Sequence, residues 1–480
     1  MWPSFFRPDS LGIEGGSLEE SRFWSVEPSV REAYAEDASG LIGSPDAVAR
    51  PTSEEEVAEI VRLCADRSIP VTPQGLRSST VGGPVAFGGL ALNLERLNRT
   101  IDIDMERRLA IIEPGVVLGE FKRPLIDAGL FYPPDPTSEN ECTVGGSVLT
   151  NASGSRTYQY GPTRRYVRSL RLVLGDGRTT EITRSRASKN TAGYFGFQDP
   201  VDLLCGSEGT LGIVTRVTLD LLPAPPGFIA GMAFFLRLGD ALGFVVSADR
   251  ARQAGLLEPR CLELFDDASL DLIRPHAGKL GIPGVAKTAI FFEQECEPDE
   301  ESIVLDGWLD LLERARALAE DTIIATTEEQ FLELRELRHA LPSEMNERGR
   351  RARDSGGGKL STDWAVPIEA LAATVEDATR IAGETFGGPF VRYGHIGNGH
   401  PHFNLLAENA EMLARAREAT HRMAMLAVER GGTITAEHGI GKIKRDYLRY
   451  QYPDWVVQAM RAVKRTVDPK GILAPGNIFG

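Results

Sequence analysis

The sequence predicts an α+β protein of two main folding units plus terminal segments, and three observations carry that expectation. Short aliphatic and β-branched runs punctuated by Gly-rich turns fill the first half. Pro223, Pro225 and Pro226 then cluster in LLPAPPG, as at a domain boundary. Beyond them, strand-like runs alternate with long helical periodicities. A chain of 480 residues is long enough for two or three cores.

The elements follow in order. Residues 1–40 are polar and mixed and read as an arm. At 51–67, Ser53 and Glu56 form a capping box, and Val57, Ile60, Val61 and Cys64 recur at helical spacing. Strands are expected at 69–73, 90–94, 109–115, 169–177 and 212–222. After the prolines, strands at 230–238 and 288–295 and helices at 302–321 and 368–386 build the second unit. Residues 463–480 are again rich in Pro and Gly. The expected partition is 1–40, 41–224, 225–440 and 441–480.

Composition narrows the function classes. The net charge is −15 with a pI near 5.1, which argues against binding nucleic acid. The five cysteines (Cys64, Cys142, Cys205, Cys261, Cys296) include no C-x-x-C pair, so neither an iron–sulfur cluster nor a disulfide framework is expected. The N-terminus shows no signal-peptide pattern, and the longest apolar stretch, 229–236, is too short to span a bilayer. The protein reads as cytoplasmic, or peripheral on the inner face of the membrane through a partner.

Four Gly clusters fall at strand–turn positions: PQGLRSSTVGG (73–83), EPGVVLGE (113–120), TVGGSVLTNASG (143–154) and GSEGTLG (206–212). None has the spacing of a dinucleotide fingerprint or a phosphate loop. Each can still form a nest of N–H groups around phosphate oxygens, with Ser78, Ser79 and Thr80 adding hydroxyls. Together they point to a large phosphorylated cofactor.

Three of the seven histidines lie in RYGHIGNGHPHFNLL (392–406). Asn398-Gly399 is a favoured two-residue hairpin turn. Such a turn would pair His395 with His402 on one face, within reach of one metal, and turn His400 to the opposite face. Downstream, GGTITAEHGIGK (431–442) sets Glu437 and His438 at the end of an expected strand. Glu437 can complete a His₂-Glu set with one open position, and His438 can act as a general base.

The order PQGLRSSTVGG, PPDP (133–136), TVGGSVLTNASG, YGPTRRYV (160–167), KNTAGY (189–194) and GSEGTLGIVT (206–215) resembles the vanillyl-alcohol oxidase / p-cresol methylhydroxylase superfamily. Within it, the chain is similar to the branch of D-lactate dehydrogenases, D-2-hydroxyglutarate dehydrogenases and glycolate oxidase flavoprotein subunits. The resemblance implies a two-subdomain FAD-binding domain at 41–224, an α+β cap domain with an antiparallel sheet at 225–440, and a C-terminal segment returning to the FAD domain. It assigns Pro73, Gly75, Leu76, Arg77, Ser78, Ser79, Pro134, Asp135, Thr143, Gly145, Gly146, Asn151, Gly154, Tyr160, Glu208, Gly209, Ile213, Val214 and Asn477 to FAD. Leu76 and Arg77 replace small residues of the family loop. No histidine stands in that loop, so FAD is expected to be non-covalent, with Cys142 as a small buried side chain.

The family pattern H-x-G-D-G-N-x-H followed by E-H-G implies a divalent metal, Zn²⁺ in expectation, on His395, His402 and Glu437, with His438 as the base. Asn398 and His400 replace the family Asp and Asn. In LRHALPSEMNERGRRARDSGGGKLSTDWAVP (337–367), Arg338 and Lys359 match cations that hold the substrate carboxylate. The implied reaction is oxidation of a small D-2-hydroxy acid, of lactate, glycolate or 2-hydroxyglutarate type, to the 2-keto acid. Electrons would pass from FAD to an iron–sulfur subunit, an electron-transferring flavoprotein or a quinone, in a homodimer or hetero-complex. The alternatives are an oxidase using O₂, the flavin subunit of a larger redox complex, and a non-redox ether-lipid synthase of the same fold.

Overall fold

The structure is a computed structural model and describes residues 18–278, 280–325 and 327–479; residues 1–17 of the expected arm lie outside the described residues. The chain divides into two compact units. The first takes the residues up to Ser153, then Pro162–Ala224 and Glu437–Gly480; the second takes Gly154–Gly161 and Pro225–Ala436.

In the first unit, β1 (Trp24–Ser25), β2 (Ala47–Ala49), β3 (Val71–Gln74) and β4 (Leu90–Asn93) form a sheet in the order β1-β2-β4-β3. Strands β2, β4 and β3 run parallel. The helix Glu54–Arg67 packs Val57, Ile60, Val61 and Cys64 against Val71, Leu90 and Leu92 of this sheet. Its N-terminus is capped by Ser53 Oγ, which accepts from Glu56 N at 3.3 Å. The reciprocal half of the expected box is replaced: the Glu56 carboxylate accepts from Thr52 N at 2.7 Å. An antiparallel sheet follows, built from β5 (Thr100–Asp104), β6 (Leu109–Ile112), β8 (Val167–Val173), β9 (Thr179–Thr183) and β10 (Ile213–Asp220) in the order β5-β6-β10-β8-β9. A short pair joins β7 (Leu130–Phe131) to β11 (Leu222–Pro223). The chain end returns to β3: Val71 N donates to Ile472 O, and Ala474 N to Val71 O, both at 2.7 Å.

The second unit is one seven-stranded antiparallel sheet with helices on both faces. Its strands are β12 (Phe228–Phe235), β13 (Pro259–Asp266), β14 (Thr288–Glu295), β15 (Ile323–Ala325), β16 (Gly356–Ser361), β17 (Phe390–Gly394) and β18 (His402–Asn409), in the order β15-β12-β14-β13-β17-β18-β16. Alternation along the strands splits the core into two layers. Leu264, Phe292, Phe403 and Leu405 face the helices Leu238–Gln253, Glu301–Arg314, Ile368–Ile381 and Ala410–Glu429. Trp308 stacks on Phe292 at 4.3 Å between ring centroids. Cys261, Phe265, Phe291 and Val391 face the long helix Glu328–Arg353 through Leu334, Leu337, Leu341 and Met345. Each fully buried apolar side chain of this kind contributes about 1.5–3 kcal/mol.

The strand expected before Glu437 does not form. Only a single bridge, Thr433 to Ala365, is made. Gly431, Gly439 and Gly441 all have positive φ, and Ala436 N donates to Asp363 O at 2.7 Å instead of extending a ladder.

Candidate functional site

The histidine-rich segment builds its geometry from a turn wider than the sequence suggests. Tyr393, not His395, pairs with His402 in the β17–β18 ladder. Between the strands, His395 O accepts from Asn398 N at 3.0 Å and from His400 N at 3.2 Å. Gly399 closes the turn at φ +67, where an added Cβ would run into Val366 O. Pro401 therefore lies outside the ladder, which it could not enter as a donor. The expected opposite facing of His400 is also corrected. The His400 ring lies 4.4 Å from that of His402 and 5.7 Å from that of His395, while His395 and His402 are 5.5 Å apart. The wide turn lets all three rings gather in one buried cluster.

Two hydrogen bonds orient the outer pair. His402 Nδ1 meets Thr362 O at 2.9 Å. A carbonyl only accepts, so Nδ1 carries the hydrogen and Nε2 holds the lone pair. His395 Nδ1 meets Glu263 Oε1 at 2.7 Å, which sets the same tautomer. The other oxygen of Glu263 accepts from Arg338 Nε at 3.2 Å. Burial alone would raise the Glu263 carboxyl, but His395 and Arg338 outweigh it and hold it below the usual range. One buried carboxylate thus orients both an imidazole and a guanidinium.

Further polar groups share this face of the sheet. Asn404 is two residues beyond His402 on β18, opposite Ser361 and Val391, and is fully buried. Neither of its side-chain amide atoms has a hydrogen-bond partner. Lys359, on β16 opposite Leu406, donates to Asn346 Oδ1 at 2.6 Å, and burial lowers its amine to about 8. His400 Nε2 is 3.4 Å from Asp363 Oδ1, and Asp363 also accepts from the Thr435 hydroxyl. Sequence reasoning did not single out Glu263, Asp363 or Asn404. Glu263 could have been found, because it is a lone acid at an inward position of the apolar strand CLELF.

The first unit collects most of the expected cofactor residues. Pro73 lies in β3, one residue before its end, and Gly209 packs so closely on it that an added Cβ would lie 2.5 Å from the Pro73 ring. Gly75 approaches Thr143, whose Oγ1 caps Gly146 N at 3.1 Å. Arg77 adopts φ +62, and its guanidinium lies over the Tyr34 ring at 4.5 Å. Ser79 Oγ accepts from Val81 N, and Asn151 Oδ1 accepts from Arg164 N. Ile213 and Val214 are buried in β10. The Glu208 carboxylate accepts from Ile440 N and Gly441 N, both at 2.7 Å, so the two residues that follow Gly439 dock on the GSEG loop. Glu437 and His438 head this segment, with His438 Nε2 3.5 Å from Glu437 Oε1. Gly154 and Tyr160 belong to the second unit, as do His395, His402, Arg338 and Lys359.

Residues 45–183 match the model of the FAD binding domain, and residues 230–478 that of the FAD linked oxidases, C-terminal domain. The chain belongs to the FAD-linked oxidase family. It is an FAD-dependent oxidoreductase. It is 33% identical over 458 residues to glycolate oxidase subunit GlcD of Bacillus subtilis, covering 94% of this chain and 92% of that one. It is 32% identical over 467 residues to D-lactate dehydrogenase of Anaerostipes hadrus, covering 94% of each. A solved structure of p-cresol methylhydroxylase superposes with a TM-score of 0.73 at 16% identity, over 95% of this chain and 93% of that one, a likeness of fold.

The flavoprotein's glycine loops fit that cofactor. Arg77 Nη1, in the first of these loops, is a buried donor without a hydrogen-bond partner, and an anion would supply one. An added Cβ at Gly146 would meet nothing but the Thr143 hydroxyl, which leaves room for a ligand to approach the backbone. Among the described residues all five cysteines are unpaired, and no helix is long and apolar enough to cross a membrane.

Proposed function

We propose that this flavoprotein oxidises a D-2-hydroxy acid to the 2-keto acid and hands the electrons to a separate acceptor. The observation that carries the reading is Glu263, which fixes His395 for a metal and Arg338 for a carboxylate at once. The relatives named for glycolate and D-lactate support the substrate class.

In this reading His395 and His402 offer Nε2 to a divalent metal, and Glu437 is the third ligand. The donor set suits Zn²⁺. Support for Glu437 comes from its chain neighbour Ala436, which is tied to Asp363 beside the histidine cluster. Bound FAD would supply the two-electron acceptor and the metal a Lewis acid for the α-hydroxyl. The chain's own residues do the rest. With its Nε committed to Glu263, Arg338 meets the substrate carboxylate with its Nη edge, and Lys359 adds a second cation. Asn404 presents an amide to the substrate's oxygens. His438 takes the hydroxyl proton.

FAD is held without a covalent bond in this account. Burial pushes the Cys142 thiol up to about 12, so it has no thiolate at neutral pH to attack a flavin. Acid-denatured protein should release all its flavin; yellow colour retained by the precipitate would refute this.

The test is metal content and dye-linked turnover measured together. Wild-type protein should carry about one divalent metal per chain and oxidise D-2-hydroxy acids. His402→Asn and Glu437→Gln should lose both. Full metal in either variant would remove that residue from the ligand set.

A further inference from the structure

Lys442 is a buried lysine that the reaction does not use. It is 1% exposed, and its three N–H donors meet three acceptors: Asn477 Oδ1 at 2.6 Å, Gly83 O at 3.0 Å and Gly82 O at 3.4 Å. No carboxylate is among them. Burial lowers the amine to about 7 even though the carboxylates of Glu208 and Asp37 act on it from nearby, so a lysine here calls for a reason.

The surroundings supply it. The backbone of the same residue clasps the same loop, since Lys442 N and Ile443 N both donate to Val81 O, at 3.0 and 3.2 Å. Gly441 has φ +54, and an added Cβ there would collide with Val81 O, so only glycine lets the two segments touch. Asn477 extends the clasp, with Nδ2 donating to Gly83 O at 3.0 Å and to Glu208 O at 3.1 Å. Glu208 in turn holds Ile440 and Gly441 by their N–H groups. Residues 439–442 are thus gripped by two of the Gly loops, 73–83 and 206–212, and His438 immediately precedes the grip.

We propose that Lys442 is a positioning residue that locks the Ser78–Gly83 loop to the segment carrying His438, so that FAD retention and the chemical step depend on it together. The proposal rests on FAD binding at these loops and on His438 as the base. It differs from a packing role, because a methionine of similar length fills the space but leaves Asn477 Oδ1 without its donor.

The experiment compares wild type with Lys442→Met and Lys442→Gln. The rate of flavin release after dilution is followed by fluorescence, and kcat and KM for the hydroxy acid are measured at saturating FAD. Lys442→Met should release FAD about tenfold faster and, when saturated with FAD, lose about tenfold in kcat with KM within about twofold. Lys442→Gln, which keeps two donors, should fall between the two, and it decides the matter if the methionine variant does not fold. Wild-type release and wild-type kcat in a variant that merely melts earlier would overturn the proposal. A wild-type protein that holds no FAD or oxidises no hydroxy acid would instead sink the functional reading on which it stands.

Discussion

At the scale of single residues, the account depends on a few side chains whose roles can be separated. His438→Ala should cut kcat by about 10²–10⁴, the usual worth of a general base, with flavin content unchanged in the visible spectrum. Loss of FAD would make His438 structural instead. Glu263→Gln should weaken metal binding about 10- to 100-fold in a chelator competition, and should raise KM as Arg338 loses its anchor. Unchanged metal affinity would show that His395 is oriented by other means. Lys359 sets a pH dependence. Burial lowers its amine to about 8, so the cation is present below that pH and is lost as pH rises through it. kcat/KM should therefore fall on the alkaline side near pH 8, chiefly through KM, and Lys359→Arg should move that limb to higher pH. A wild-type profile flat through this range would remove Lys359 from substrate binding.

At the scale of elements, the β17–β18 turn decides whether the histidines meet. Gly399→Ala places a side chain at φ +67 and into Val366 O. The left-handed backbone alone costs about 1–2 kcal/mol, and the clash adds to it. Thermal unfolding should come several degrees earlier, with metal content reduced; a variant with the wild-type melting point and full metal would contradict the role given to the turn. This turn also shows where sequence reading stops. The helix Glu54–Arg67 was legible because its cap and its apolar spacing are local signals. The strands β12 and β14 were legible as hydrophobic runs, but β13, which carries the inward acid Glu263, was not singled out. Asn398-Gly399 promised a two-residue hairpin, yet Gly394 at φ +117 and the two N–H donors on His395 O open a wider loop. Those bonds are local, but the Val366 backbone that fixes Gly399 lies 33 residues away in the chain, beyond the reach of any turn rule. The clasp of Lys442 on Gly82 and Gly83 spans some 360 residues and was equally invisible.

At the scale of the whole molecule, the family's motifs made the cofactor readable from sequence, because Gly-rich loops keep their order even where Leu76 and Arg77 depart from it. The electron acceptor is less marked. With a net charge of −15, a docking partner must meet an acidic field or a local exception to it. Arg350, Arg351 and Arg353 in the last turn of the helix Glu328–Arg353 are such an exception, though Arg351 already pairs with Glu347. The reduced flavin should therefore reoxidise slowly in air and quickly with a dye or a partner protein; rapid turnover with stoichiometric peroxide would make the protein an oxidase. The central claim, oxidation of a D-2-hydroxy acid at the flavin, is tested most directly by anaerobic mixing with single acids while the flavin absorbance is followed. The account predicts that D-lactate, glycolate or D-2-hydroxyglutarate bleaches the flavin in one turnover and that L-lactate and L-2-hydroxyglutarate do not. Flavin that stays oxidised with every 2-hydroxy acid, in protein shown to hold FAD and metal, would contradict it.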